Sequence, residues 1–352
     1  MDAVIIAGGL GTRLYPLTLA YPKILIPLLD RPLVSYLLDL TERAGCERVI
    51  LAAGHLSDEL KEHFSNRSDE REAAGTISGP APPVVFAEEE EPLGTGGAVA
   101  NAVRQEKVSG PLLVFNGDIV TDLEPRSLVG THERCGGSAA LVGYRVRDAK
   151  GFGLLRVDDD GRIAAFEEKS ERPGDPPYVI NAGIYYLDSE AVGRLASKQG
   201  AFSLERDFFP ELAEQGQLFA HRHGGFWADV GTLESYFNTQ FAVLRYWFTI
   251  GRENLGGMRS DFSLFKDFIY LHQNAKLGKK CELFHRVIVM DGAELGDGCW
   301  LRDVVVLPGA RIGVGCRLAT AIVDRGTQVP SGTDAENVVF SGAAREPFFP
   351  HP

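Results

Sequence analysis

Between residues 275 and 318 aliphatic side chains return every six residues. Leu277, Leu283, Val289, Leu295, Leu301 and Leu307 keep that spacing, and two positions before each stands Ala275, Cys281, Val287, Ala293, Cys299 or Val305. A helix repeats near 3.6 residues and a half-buried strand near two, so neither produces this pattern. A hexapeptide repeat does, and three hexapeptides make one coil of a parallel β-helix. The period slips by one near Pro308, where Ile312 follows Leu307 after five residues and Leu318 resumes the six. Cys281 and Cys299 are therefore one coil apart and should stack on one inner edge, with Cys316 seventeen residues further on. Each holds the small inward position of its repeat, which reads as core packing rather than metal chemistry.

The other end of the chain follows a different pattern. Val4-Ile5-Ile6-Ala7 is an apolar run that reads as a buried strand, and it leads into Gly8-Gly9-Leu10-Gly11-Thr12-Arg13, with Lys23 ten residues beyond. Glycines let backbone N–H groups converge on one anion, and Arg13 and Lys23 supply charges that reach phosphate oxygens. A P-loop would end in Gly-Lys-Ser/Thr, and a dinucleotide fingerprint would need glycine or alanine where Leu14 stands. Three clustered glycines alone also fit a structural turn. The added Arg13, Pro16, Pro22 and Lys23 favour a phosphate cradle.

Between these ends, helical spacing is expected over 31–44 with Gly45 as C-cap, and a strand over 48–53. A short helix capped by Ser57, a surface loop over 66–83, a strand at 84–86, a helix over 96–105 and a strand over 111–115 follow. Strands alternating with helices imply a mainly parallel sheet whose ligands bind at the carboxyl ends of the strands. The glycine loop and Asp118 both fall at such ends. Strands are expected at 139–146, 153–157, 162–166 and 184–187, and an amphipathic helix over 232–248. Glycines after that helix place the domain boundary near 255, giving an α/β domain over 1–250 and a repeat domain with a C-terminal tail over 251–352.

A chain of 352 residues exceeds one ordinary core, in keeping with two domains. No apolar run approaches the ~20 residues needed to span a membrane, and no signal-peptide pattern precedes the first strand, so a cytoplasmic protein with no membrane partner is expected. Five cysteines without CxxC spacing read as free thiols. A net charge of −12 disfavours nucleic acid. Small anions then require a locally basic pocket.

The run Gly8-Gly9-x-Gly11-Thr12-Arg13-Leu14-x-Pro16-Leu17-Thr18-x-x-x-Pro22-Lys23 resembles the signature of sugar-1-phosphate nucleotidyltransferases, the nucleotide-sugar pyrophosphorylases. The resemblance extends over 1–250, and a hexapeptide tail is frequent in that family. Ile24 departs from it, standing where many members have proline. The fold implied is a Rossmann-like, mainly parallel α/β domain followed by a short left-handed parallel β-helix. The reaction implied is attack of a sugar 1-phosphate on the α-phosphorus of an NTP, giving NDP-sugar and pyrophosphate. By resemblance, Gly8, Gly9, Gly11 and Thr12 hold the nucleotide, Arg13 neutralises the departing pyrophosphate and Lys23 lies near the reacting phosphates. Asp118 and Asp229 match positions that bind Mg²⁺. Gly153, Glu168, Lys169 and Asn181 match the sugar-phosphate side, with Ser170 where proline is common.

Glu89, Gly94 and Thr95 match the base-reading segment. Uracil and thymine enzymes commonly carry glutamine where Glu89 stands. An ionised glutamate only accepts hydrogen bonds, and guanine offers two neighbouring donors to it. GTP is therefore favoured, and Pro92-Leu93-Gly94-Thr95 resembles mannose-1-phosphate and heptose-1-phosphate guanylyltransferases. A UTP- or dTTP-dependent enzyme, a catalytically silent nucleotide-sugar sensor and a hexapeptide acyltransferase using His272 or His285 are the alternatives. The β-helix is expected to serve as a packing platform for a homo-oligomer.

Overall fold

The computed structural model describes residues 1–9, 11–19, 21–29, 31–54, 58–65, 81–168, 176–249, 268–342 and 344–348. They form two compact units that are not contiguous in sequence: Met1–Leu10 with Leu33–Ala228, and Gly11–Pro32 with Asp229–Pro352. The glycine-rich run is shared between them, with Gly8 and Gly9 in the first and Gly11 onward in the second.

The first unit is built on one mixed sheet. Strand Asp2–Ile6 lies between Arg48–Ala53 and Leu112–Asn116, parallel to both, and Val84–Glu88 adds in parallel beyond Arg48–Ala53. Ala3, Val4, Ile5, Ile50, Leu113 and Val114 are fully buried, as central strands covered on both faces require. On the far side of Leu112–Asn116, Tyr178–Leu187 runs antiparallel and continues to Ala139–Val146, which pairs in parallel with Leu218–His223. The expected strand at 184–187 is the apolar half of this longer element. Its register shifts between Asn181 and Tyr185, where Gly183 has φ +74°. The bulge breaks the alternation that marks a strand in sequence. The helix expected from residue 31 begins at Leu33, because Arg31–Pro32 pairs antiparallel with Pro27–Leu28. The Ser57 cap and residues 66–80 of the expected loop lie outside the described residues.

The second unit contains the β-helix. Phe268–Leu271, Glu282–Val289, Trp300–Val306, Arg317–Val323 and Asp334–Ser341 stack in parallel register, and the short strands Lys276–Leu277, Glu294–Leu295, Arg311–Ile312 and Gln328–Val329 form a second parallel sheet. Leu283 pairs with Leu301 and Leu301 with Leu318; the one-residue slip is taken up by a register shift between Phe284 and Val287, where His285 has φ +60°, and the following coil pairs at a constant seventeen residues. Cys281, Cys299 and Cys316 line one edge of the core, each Sγ donating to a carbonyl: Gly296 (3.2 Å), Gly313 (3.2 Å) and Pro330 (3.1 Å). Burial pushes the Cys299 thiol up to about 11, which suits a packing residue.

Helix Leu233–Thr249 ties the early segment of this unit to the coils. Tyr236 Oη (2.6 Å) and Gln240 Nε2 (2.9 Å) both donate to Pro27 O, and Gln240 Oε1 accepts from Leu29 N (2.8 Å). Arg286 of the second coil lies over the rings of Phe237 and Phe241 and bonds Asp303 through Nε (2.7 Å). Among the described residues no helix is long and apolar enough to cross a membrane.

Candidate active site

In the first unit, Gly8 and Gly9 leave strand Asp2–Ile6 at its carboxyl end. A Cβ on Gly8 would lie 3.3 Å from Glu89 Oε1 and 3.3 Å from Gly54 N, so a side chain there would be tight and would press on both. Glu89 continues the pairing of strand Val84–Glu88 by donating its N–H to Ala53 O (3.1 Å). Its Oε2 accepts from Leu93 N (3.0 Å), while Oε1 is shielded from solvent and has no hydrogen-bond partner among the described residues. A shielded carboxylate oxygen without a donor is costly in a finished core.

Gly94 and Thr95 open the helix Gly94–Gln105. At Gly94, φ is +70° and a Cβ would fall 2.7 Å from Phe202 O; that carbonyl accepts from Gly96 N and Gly97 N. The Thr95 hydroxyl turns away from Glu89: it donates to Glu205 Oε2 (2.6 Å) and accepts from Leu204 N (3.0 Å).

The sugar-side residues converge on one end of the sheet. Gly153 pairs directly with Glu168 across the hairpin, and Leu154 pairs with Ile180, the neighbour of Asn181. Lys169 lies outside the described residues. Asn181 Nδ2 donates to Tyr185 Oη (2.9 Å) and its Oδ1 accepts from Gly183 N (3.1 Å). Trp227 stands beside them, its Nε1 donating to Ala182 O (2.9 Å) and its ring against Tyr144 and Phe152. Asp118 follows strand Leu112–Asn116 and Gly117, whose N–H reaches back to Ile6 O (3.0 Å).

In the second unit, Gly11 adopts φ +62° and opens a short 3₁₀ turn, Thr12–Leu14, anchored by fully buried Leu14 while Thr12 and Arg13 stay exposed. A Cβ on Gly11 would sit 2.9 Å from Thr18 Cγ2 and 3.3 Å from Lys23 Cβ, so this glycine lets Lys23 pack against the loop. Ile24, the departure from the family pattern, is buried beneath that turn. Asp229 and Arg13 both border Gly231, where a Cβ would be 2.8 Å from Asp229 Oδ2 and 3.3 Å from Arg13 Nη2. Ser235 Oγ accepts from Gly231 N (3.0 Å) and Thr232 N (2.9 Å), fixing the chain just past Asp229.

Sequence reasoning did not single out Glu205, Tyr185 or Trp227. Glu205 has no periodic neighbours to mark it, Tyr185 looks like one more apolar strand residue, and Trp227 stands two residues before Asp229 with nothing in its local pattern to set it apart. Among the described residues no group of three or more His, Cys, Asp or Glu side chains forms a metal cluster. Asp118 in the first unit and Asp229 in the second each offer carboxylate oxygens, hard donors of the kind Mg²⁺ prefers.

The nucleotidyl transferase family model matches residues 2–245, and the GlmU-like C-terminal hexapeptide model matches 272–336. A mannose-1-phosphate guanylyltransferase of Mycobacterium tuberculosis is 31% identical over 300 residues, spanning 85% of this chain and 77% of that protein. A probable mannose-1-phosphate guanylyltransferase 2 of Arabidopsis thaliana is 30% identical over 304 residues, spanning 85% and 74%. A crystal structure of HddC from Yersinia pseudotuberculosis complexed with GMP-PN superposes with a TM-score of 0.55 at 28% identity, covering 69% of this chain and 99% of that one.

Proposed function

The chain belongs to the nucleotidyl transferase family, and from that premise we propose that it joins GTP and mannose 1-phosphate into GDP-mannose and pyrophosphate. Nucleotidyl transfer to a sugar phosphate follows from the family and from relatives of that activity. The choice of guanine rests on one observation: Glu89 offers a buried, unpartnered Oε1 beside the glycine loop. The N1–H and N2–H₂ groups of guanine would satisfy it, whereas uracil and thymine bring a single donor.

Within this reading the glycine loop presents backbone donors to the nucleotide phosphates. Arg13 and Lys23 carry the charge that leaves with pyrophosphate, since phosphoryl-type transfer depends on positioning and charge neutralisation more than on covalent help. Asp118 and Asp229 would hold Mg²⁺, which when bound offsets the repulsion between two polyanionic substrates. Gly153, Glu168 and Asn181 face the sugar, and Lys169 receives its phosphate, keeping the attacking oxygen in line. We assign catalysis to residues 1–250 and a packing and self-association role to the hexapeptide domain, 251–352.

A panel of GTP, UTP, dTTP and ATP against mannose, heptose and glucose 1-phosphates, read as pyrophosphate release with Mg²⁺ and with chelator, tests the proposal. GTP with mannose 1-phosphate should lead, and chelator should stop the reaction. A clear UTP or dTTP preference would overturn the Glu89 argument.

A further inference from the structure

One carboxylate that the proposed chemistry leaves unused organises both substrate edges of the first unit. Glu205 receives three hydroxyl hydrogens: Thr95 Oγ1 at Oε2 (2.6 Å), Ser203 Oγ at Oε2 (2.7 Å) and Tyr185 Oη at Oε1 (3.1 Å). An ionised carboxylate has no hydrogen to give, so the direction of every one of these bonds is imposed by Glu205. Thr95 must donate inward and accept Leu204 N. Ser203 must donate inward and accept the backbone N–H groups of Glu205 and Arg206 (both 3.2 Å).

The third branch reaches the sugar side. Because the fully buried Tyr185 gives its hydrogen to Glu205, its oxygen is left to accept from Asn181 Nδ2 (2.9 Å). Asn181 is then fixed in one amide orientation, with Oδ1 on Gly183 N. What Asn181 has left, one N–H and one lone pair, is set jointly by Gly183 N and by the Tyr185 hydroxyl that Glu205 orients. The same carboxylate holds the first turn of helix Gly94–Gln105, which follows Glu89 and Leu93 in the base-reading segment.

We propose that Glu205 is a positioning residue that, through Tyr185, sets the donor–acceptor polarity of Asn181 toward the sugar. This rests on the nucleotidyl-transfer reading. Glu205→Gln tests it with almost unchanged shape. Glutamine carries an NH₂ that must donate, and none of the three hydroxyls can accept it without reversing. Reversal at Tyr185 would turn its hydrogen toward Asn181, flip that amide and detach it from Gly183 N.

The experiment measures initial rates for wild type, Glu205→Gln, Asn181→Ala and the double variant, with GTP and mannose 1-phosphate varied separately and thermal midpoints recorded. Glu205→Gln is expected to raise KM for the sugar phosphate about tenfold while KM for GTP and kcat change less than about threefold. In the Asn181→Ala background the same change should add nothing further. Tyr185→Phe, which keeps the buried ring and cuts the relay at its centre, should reproduce the KM split and stands in if Glu205→Gln fails to fold. An unchanged sugar KM, equal rises in both KM values, or additivity with Asn181→Ala would overturn the positioning role. A wild-type enzyme inactive with every NTP and sugar phosphate would instead overturn the functional reading on which the role rests.

Discussion

Replacing Glu89 with glutamine exchanges one carboxylate oxygen for an NH₂ group at the position proposed to read the base. In the folded protein Oε2 already accepts Leu93 N, and a glutamine carbonyl can take over that bond. The NH₂ group then occupies the place of Oε1, which has no partner among the described residues. Stability should hold or rise, because a shielded atom without a donor no longer shares a negative charge. Guanine, however, would meet a donor where it needs an acceptor. Hydrogen bonds to charged groups contribute about 1.5–3 kcal/mol, so kcat/KM for GTP should fall roughly 10- to 150-fold. UTP should lose little or gain, since an amide both donates and accepts. Steady-state rates with both nucleotides, beside a thermal melt, check this. Unchanged kcat/KM for GTP in a folded variant would refute the assignment of Glu89 to the base.

Other residues give independent checks. Arg13 is exposed and Asp229 lies beside it; Arg13→Ala should lower kcat about 10²- to 10³-fold with stability within about 0.5 kcal/mol of wild type, read by kinetics and urea unfolding. Gln240→Leu strands the buried Leu29 N–H and should cost about 1–3 kcal/mol. Tyr236→Phe should cost less, since Pro27 O keeps its bond from Gln240; urea midpoints in the reverse order would contradict the clamp. Burial, then His223 and Arg134, lowers the pKa of His221, which lies between Ser127 Oγ (3.1 Å) and Thr131 Oγ1 (2.9 Å). The folded state therefore favours neutral His221, so its contribution is intact above the unfolded histidine value of about 6.5 and is lost as pH falls below it. His221→Gln should flatten the acid side of a stability–pH curve.

Legibility in the sequence followed the range of the interactions. The six-residue period is a local pattern, and the stacked register with its buried cysteine edge followed from it directly. The parallel strands beside Asp2–Ile6 were equally plain, because both of their faces are apolar. The bulged half of Tyr178–Leu187 was hidden by the very irregularity that orients Asn181. Thr95 was legible as part of a motif, yet its hydroxyl answers to Glu205, 110 positions away. Glu205 collects Ser203 from its own turn and Thr95 and Tyr185 from two distant elements, and no short window of sequence contains such a hub. The approach of Asp229 and Arg13 to Gly231 is of the same kind: each motif was visible alone, and only folding brings both to that glycine.

The central claim, reversible transfer of a guanylyl group between pyrophosphate and a sugar 1-phosphate, is tested most directly by running the reaction backward. Purified protein is incubated with GDP-mannose, Mg²⁺ and ³²P-labelled pyrophosphate, and the nucleotides are separated. The account predicts label appearing in GTP in step with mannose 1-phosphate release, and loss of that label in Arg13→Ala. Label confined to pyrophosphate, with GDP-mannose intact, would contradict it.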